Sequence, residues 1–277
     1  MPLDAFLLAF AAAWIHGASN VFLGRRREPE AGMALMLVAG VVVYAPVAVL
    51  SWRVQSAAIP YIAASACLEL GYFGFLAAGY RVSSVSLVYP VARGSAPVLV
   101  LAGGALFLAR GASGWQIAGV ATVTVGILLV RGVGIALAAD ARGFLLALVT
   151  GVFIAGYTLV DKQGLRHAGP VPYIELVLAG PAIIYTLFVA RLRGTAALRQ
   201  ELSAKVGAVG LLLFGTYVIV LLALRLAPAA SVSAVRESSV VIASGIAALV
   251  AKERVGARRF AGAVLVAAGI ALVAFSG

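Results

Sequence analysis

Apolar residues run along this chain in long unbroken blocks, each closed by a short cluster of charged residues, Gly, Pro or Ser. The blocks lie near residues 3–23, 32–52, 59–80, 85–109, 115–130, 143–161, 171–190, 206–224, 231–251 and 260–276. A helix needs about 20 apolar residues to cross a hydrocarbon core, and a helix apolar on every side belongs in a protein core or in lipid. A membrane β-barrel would instead show alternating segments of ~10 residues, and none is present. Gly and Pro within the blocks do not argue against helix, because neighbouring membrane helices re-satisfy the backbone they free. The pattern predicts an all-α integral membrane protein of ten transmembrane helices.

The chain also repeats itself. A shift of 143 residues lays Ala92-Arg93-Gly94-Ser95 on Val235-Arg236-Glu237-Ser238, Gly119 on Gly262 and Gly126 on Gly269. At a shift of 145, Tyr72 meets Tyr217, so the register drifts slightly in the preceding loop. Two five-helix repeats follow, residues 1–139 and 140–277. An odd number of spans per repeat makes the second enter the membrane from the opposite side. That inverted plan recurs in secondary transporters, whose substrate sites lie near the midplane between repeats.

Composition agrees with the pattern. The 277 residues are 63% hydrophobic and 11% charged, with a mean hydropathy of +1.09, against about 45–50% and about 25% in soluble domains. A soluble enzyme or a disulfide-stapled secreted domain is excluded. The net charge of +11 sits mostly in the gaps between blocks, where it points to membrane orientation rather than to nucleic acid. Alternating the loops places 14 basic residues on one side (Arg25, Arg26, Arg27, Arg81, Arg131, Arg142, Arg191, Arg193, Arg199, Lys205, Lys252, Arg254, Arg258 and Arg259) and 5 on the other (Arg53, Arg110, Lys162, Arg166 and Arg225). The positive-inside rule then puts both termini outside. The start of the chain lacks a basic stretch before its first apolar block and reads as a span, not a cleaved signal. One cysteine, Cys67, and two histidines, His16 and His167, predict neither a disulfide framework nor a metal site.

Charges at membrane depth mark the candidate chemistry, since each costs roughly 2.5–3.5 kcal/mol to insert. They are Glu69, Arg93, Arg236 and Glu237. Arg93 and Arg236 are repeat-related and could attract an anionic group of a substrate. They could equally pair with Glu237 or Glu69 and hold helices together. Polar and aromatic residues share helical faces with these charges: Glu69 with Tyr72 and Phe73, Tyr89 with Arg93, Tyr157 with Asp161, and His16 with Asn20. Tyr72, Tyr89, Tyr157 and Tyr217 supply an amphipathic wall for a cavity, although tyrosines also pack between helices. Pro90 and Gly94 form a flexible point in the fourth block, either a hinge or a fixed kink. Gly119, Gly126, Gly262 and Gly269 let the fifth and tenth helices approach closely.

Among energy sources, the chain has no G-x-x-x-x-G-K-[ST] phosphate loop, so this chain alone does not use ATP. If transport is coupled, a proton is the partner, with Glu69 its first candidate; Asp161 and Glu237 are further coupling or ion-pair residues. A rival reading comes from Gly111-Ala112-Ser113-Gly114, the G-x-S-G sequence that carries the nucleophile in rhomboid intramembrane proteases. It needs a base from His16 or His167. Ser113 and Gln116, however, also read as a capping box at a helix start, which is the preferred reading.

Four segments are the most specific. They are His16-Gly17-Ala18-Ser19-Asn20, Val88-Tyr89-Pro90-Val91-Ala92-Arg93-Gly94, Tyr157-Thr158-Leu159-Val160-Asp161 and Val235-Arg236-Glu237-Ser238-Ser239. Together with ten spans in two related halves, they resemble EamA-type members of the drug/metabolite transporter superfamily, over essentially the whole chain. Ser19 stands where the subgroup has a tryptophan. Ala109-Arg110 departs from the family's Gly-Glu ending of the fourth helix, while Lys252-Glu253 keeps it at the related position. The resemblance implies a basket of helices around a central cavity, alternating access, and substrates such as amino acids, related metabolites, nucleotide sugars and drugs. It also implies cytoplasmic termini, against the charge count.

The combined reading is a transporter of a bacterial-type inner membrane that exports a small metabolite, foremost an aromatic or hydrophobic amino acid. Uptake, or transport of organic anions or drugs, is the alternative. The reading calls for no cofactor and no enzyme activity. Its partners are the lipid bilayer, a small-molecule substrate and a candidate proton; with both halves in one chain, a monomer suffices.

Overall fold

The structure is a computed structural model that describes residues 1–23, 26–83, 85–108, 111–131, 140–251 and 256–275. Its helices are α1 (Leu3–Leu23), α2 (Pro29–Leu50), α3 (Ile59–Val82), α4 (Val85–Leu108), α5 (Gly114–Arg131), α6 (Ala141–Gly164), α7 (Pro170–Arg193), α8 (Thr195–Glu201), α9 (Ala204–Leu226), α10 (Ala229–Arg236), α11 (Ser238–Ala251) and α12 (Ala257–Phe275). Apart from Ser51, Trp52 and Glu237, the described residues of the ten apolar blocks are helical. Among the described residues, six stretches are long and apolar enough to cross a membrane: α2, Ser56–Val82, Leu87–Phe107, α6, α7 and α9. Leu3–Ser19, Gly114–Val130 and Phe260–Ala274 are shorter apolar helices.

The helix ends follow local chemistry. Proline at the first positions of α2, α3 and α7 has a fixed φ suited to helix entry and no N–H to leave orphaned. Asp140 caps α6 by accepting a hydrogen bond from the Gly143 amide at 2.8 Å. Ser113 does the same for Gln116 at the start of α5, at 3.2 Å, so the capping reading of this serine is the one seen. Gly194, at φ +80°, makes the turn between α7 and the short α8. A conformation of that kind favours glycine.

One expectation needs correcting. The block 231–251 is not a single helix: it is α10 and α11, interrupted at Glu237. The Glu237 amide reaches the Ser233 and Ala234 carbonyls at 3.3 and 3.2 Å, a tightened last turn, while its side chain is drawn to Arg93 of another helix. By contrast, α4 runs unbroken through Pro90 and Pro97. Its Gly94 packs toward Ile127, and its Gly94 carbonyl accepts a hydrogen bond from Thr124 Oγ1 at 2.8 Å.

Packing closes these helices around a centre. α3 lies on α6 and α7, α2 on α7 and α9, α1 on α9 and α11, and α4 on α5 and α6. α5 and α12 pack backbone to backbone. A Cβ on Gly126 would meet the Gly262 carbonyl oxygen at 2.8 Å, and one on Gly262 would meet that of Gly126 at 2.7 Å. Gly119 and Gly269 are related in the same reciprocal way, at 2.8 and 2.7 Å. Four glycines therefore let two backbones touch. Outward-facing apolar side chains such as Val42, Leu106, Phe107, Ile183 and Leu187 are exposed, as suits a surface whose solvent is lipid.

Candidate functional site

A central cavity of about 100 Å³ lies among α1, α2, α3, α4, α6, α7, α9 and α10. His16, Glu69, Tyr72, Arg93, Tyr157, Tyr217 and Arg236 line it, with Phe73, Phe214, Met33, Met36 and Leu37 completing an apolar and aromatic wall. The tyrosines touch one another: Tyr157 lies 6.1 Å from Tyr72 and 6.2 Å from Tyr217 between ring centroids, within the range of favourable aromatic pairs. Six of the eight residues singled out in sequence for substrate binding are brought together here. Tyr89 instead stands beneath Arg93, whose guanidinium lies 5.8 Å from its ring centroid. The Asn20 side chain lies outside the described residues, as do Arg110 and the Lys252-Glu253 pair.

Arg93 and Arg236 have different surroundings. Arg93 is buried. It lies 2.7 Å from His16 Nε2 through one guanidinium nitrogen and 3.5 Å from Glu237 Oε1 through another. His16 can accept from Arg93 only as the tautomer with a free Nε2 lone pair, so it is neutral in this contact. Arg236 enters none of the ion pairs among the described residues. It is only partly covered, and its guanidinium lies 5.7 Å from the Tyr217 ring centroid. A cation over an aromatic face gains modestly from the ring quadrupole and keeps its N–H donors available.

A second polar cluster adjoins the cavity. Tyr217 Oη lies 2.8 Å from Glu69 Oε1 and 3.3 Å from Asp161 Oδ2. Asp161 also accepts from Ser65 Oγ at 2.6 Å and from the Tyr173 hydroxyl at 3.0 Å. Glu69 lines the cavity; Asp161 lies behind it. Ser65 and Tyr173 carry no signal in sequence beyond Ser65 standing four residues before Glu69 on the same helical face. Glu175, a lone carboxylate in the seventh block and buried in α7, was likewise legible only as a charge in an apolar run.

Neither histidine serves Ser113. His16 is held by Arg93, while His167 lies 3.4 Å from Gln55 Oε1 and stacks on Tyr61. No group of three or more His, Cys, Asp or Glu among the described residues could hold a metal ion.

On one face, Arg26 pairs with Glu201 of α8 at 2.5 Å and Arg193 with Glu30 at 2.8 Å. Burial raises the Glu201 proton affinity, but the Arg26 side chain and the Glu28 amide outweigh it and hold the carboxyl below its ordinary value. On the other face, backbone bonds join the loop after α2 to the loop before α7, from the Gln55 amide to the His167 carbonyl at 2.9 Å and from the Gly169 amide to the Arg53 carbonyl at 2.7 Å. There Lys162 donates to the Leu224 and Ala227 carbonyls, and Arg225 to those of Leu165 and Ala168.

Residues 141–275 match the EamA-like transporter family. Among solved structures, a crystal structure of a protein is similar over 98% of this chain and 96% of its own, with a TM-score of 0.74 and 16% identity. At that identity the likeness is one of fold. No curated protein matches the sequence.

Proposed function

We propose that this chain, whose residues 141–275 match the EamA-like transporter family, is a multi-pass membrane transporter of small molecules with a more specific activity. It is a secondary transporter that exports an amino acid with an aromatic or hydrophobic side chain by alternating access. It does so with ten spans arranged as two inverted five-helix repeats, residues 1–139 and 140–277, in a bacterial-type inner membrane. The observation that carries the substrate class is Arg236, a cation in the cavity with no carboxylate partner among the described residues, facing a wall of Tyr72, Tyr157, Tyr217 and Phe214. A substrate carboxylate would complete a charge-assisted pair with Arg236, and an apolar side chain would rest on the rings. Arg93 then holds α1, α4 and the α10–α11 break together rather than binding substrate.

The cavity is small, about 100 Å³, so the ligand must be small or the walls must part on binding. Asymmetric ties at the two faces, ionic at one and mostly backbone at the other, are compatible with faces that open separately.

The test is counterflow. Proteoliposomes loaded with unlabelled phenylalanine or leucine are placed in the labelled amino acid, and transient accumulation is followed for wild type and Arg236→Ala. Accumulation in wild type and its loss in folded Arg236→Ala is the expected result. If Arg236→Ala transports normally, the assignment of that arginine falls; if wild type moves neither amino acid, the substrate class falls. The panel then passes to organic anions and to lipophilic cations, for which Glu69 is the cavity-lining counter-charge.

A further inference from the structure

Two carboxylates meet in the interior through a single phenol. Glu69 of α3 and Asp161 of α6 are 3% and 1% exposed, and the Tyr217 hydroxyl of α9 lies between them at 2.8 and 3.3 Å. Neither carboxylate enters an ion pair among the described residues. The cations around them have other contacts: Arg93 of α4 meets Glu237 and His16, Lys162 of α6 donates to the Leu224 and Ala227 carbonyls, and Arg236 of α10 lies over the Tyr217 ring. The remaining titratable neighbours are phenols, Tyr72, Tyr157 and, from α7, Tyr173.

Counting hydrogens locates a proton. Tyr217 has one hydroxyl hydrogen and can donate to one carboxylate only. The other contact becomes a hydrogen bond when the second carboxyl group carries a proton and donates to the phenol oxygen. Asp161 already receives Ser65 and Tyr173, a donor set that stabilises an anion. Glu69 has only Tyr217 as a donor among the described residues, so Glu69 is the group that holds the proton. Two anions sharing one hydroxyl away from water would also repel strongly, which favours one shared proton and a coupled titration.

We propose that Glu69 and Asp161 share one exchangeable proton through Tyr217, and that this proton is exchanged for the ammonium group of the transported amino acid. This inference rests on the amino-acid reading above. With the substrate carboxylate on Arg236, the ammonium donates to Glu69, which lines the cavity. The Glu69 carboxyl proton passes to cavity water and leaves. When the substrate departs on the other side of the membrane, Glu69 takes up a proton there. One proton thus enters for each zwitterion that exits, and one positive charge moves per cycle. Asp161 is a positioning residue: it sets which carboxyl holds the proton without touching substrate.

The experiment uses proteoliposomes of the full chain loaded with L-phenylalanine and the pH dye pyranine, with the membrane potential clamped by potassium and valinomycin. An inward proton gradient is expected to speed phenylalanine efflux and to acidify the lumen only when phenylalanine is present. In the accumulation direction, a difference of one pH unit should sustain a concentration ratio of about tenfold at one-to-one exchange. In Glu69→Gln and Asp161→Asn, whatever counterflow persists should be insensitive to the gradient, with no lumen acidification. Wild-type counterflow with neither gradient dependence nor proton flux would overturn the exchange while leaving amino-acid transport standing. So would a Glu69→Gln protein that retains both. Absence of counterflow in wild type removes the substrate reading and the exchange with it. If the variants do not fold, the wild-type dye measurement decides alone.

Discussion

Arg93 and Arg236, which a shift of 143 residues aligns, occupy different electrostatic settings: Arg93 lies 3.5 Å from Glu237 and 2.7 Å from His16, whereas Arg236 lies over the face of Tyr217 and pairs with no carboxylate among the described residues. The residue that neutralises Arg93 is the sequence neighbour of Arg236. Glu237 sits at the break between α10 and α11, so its carboxylate turns toward α4 while Arg236 turns toward the cavity.

This division predicts opposite phenotypes. Removing Glu237 strands a buried guanidinium, and breaking a buried pair by deleting one partner costs about 3–5 kcal/mol. Glu237→Ala and Arg93→Ala should therefore unfold at clearly lower temperature in detergent. Arg236→Ala should melt within a few degrees of wild type, since a cation–π contact of about 0.5–1 kcal/mol at a partly covered side chain is lost, yet lose counterflow. Equal melting losses at all three positions would contradict the assignment.

A second prediction concerns the seam between α5 and α12. Alanine at Gly126 would place its Cβ 2.8 Å from both the Gly262 oxygen and the Val266 amide. Backbone cannot yield as a flexible side chain can, so the helices must separate. Overpacking of this kind costs about 1–3 kcal/mol. Gly126→Ala and Gly269→Ala should each lower the unfolding temperature, whereas Gly114→Ala, with open space around it, should not. Side-by-side thermal unfolding of the three variants checks this.

The third concerns acid. Glu201 is held below its ordinary proton affinity by Arg26 and the Glu28 amide despite its burial. A carboxyl whose folded value is depressed stabilises the fold above its unfolded value, about 4.3 for glutamate. That contribution is lost as pH falls through the lower folded value. The difference in unfolding temperature between wild type and Glu201→Gln should hold steady from neutral pH down to about 5 and shrink below about 4.3. A difference independent of pH would mean that Glu201 acts by packing alone.

How much of this was legible beforehand varies with the kind of signal. The all-helical, apolar character was, because hydrocarbon thickness sets a length that apolar runs reveal directly, but the count of ten was not matched: the ninth run is two helices, and a further short helix, α8, lies between runs. The glycine seam was legible, since repeat-related small residues at one-heptad spacing carry their own steric meaning. Glu69, Tyr72, Tyr157, Tyr217 and the two arginines were recognisable as a group, because charges and phenols stand out in an apolar chain. Ser65 and Tyr173 were not: a serine and a tyrosine in membrane helices have many ordinary uses, and only the approach of α3, α6 and α7 makes them partners of Asp161.

The sequence by itself determined that this protein is built of long apolar helices suited to a bilayer, and which few polar side chains it keeps among them. Those properties follow from composition and periodicity, which act locally along the chain. Only the tertiary structure decided which arginine Glu237 neutralises, where the ninth apolar run breaks, and that Glu69 and Asp161 meet at Tyr217. Each of these depends on contacts between residues far apart in the chain, at distances of a few ångströms, and charge pairing and hydrogen bonding at that range are set by helix packing rather than by residue type.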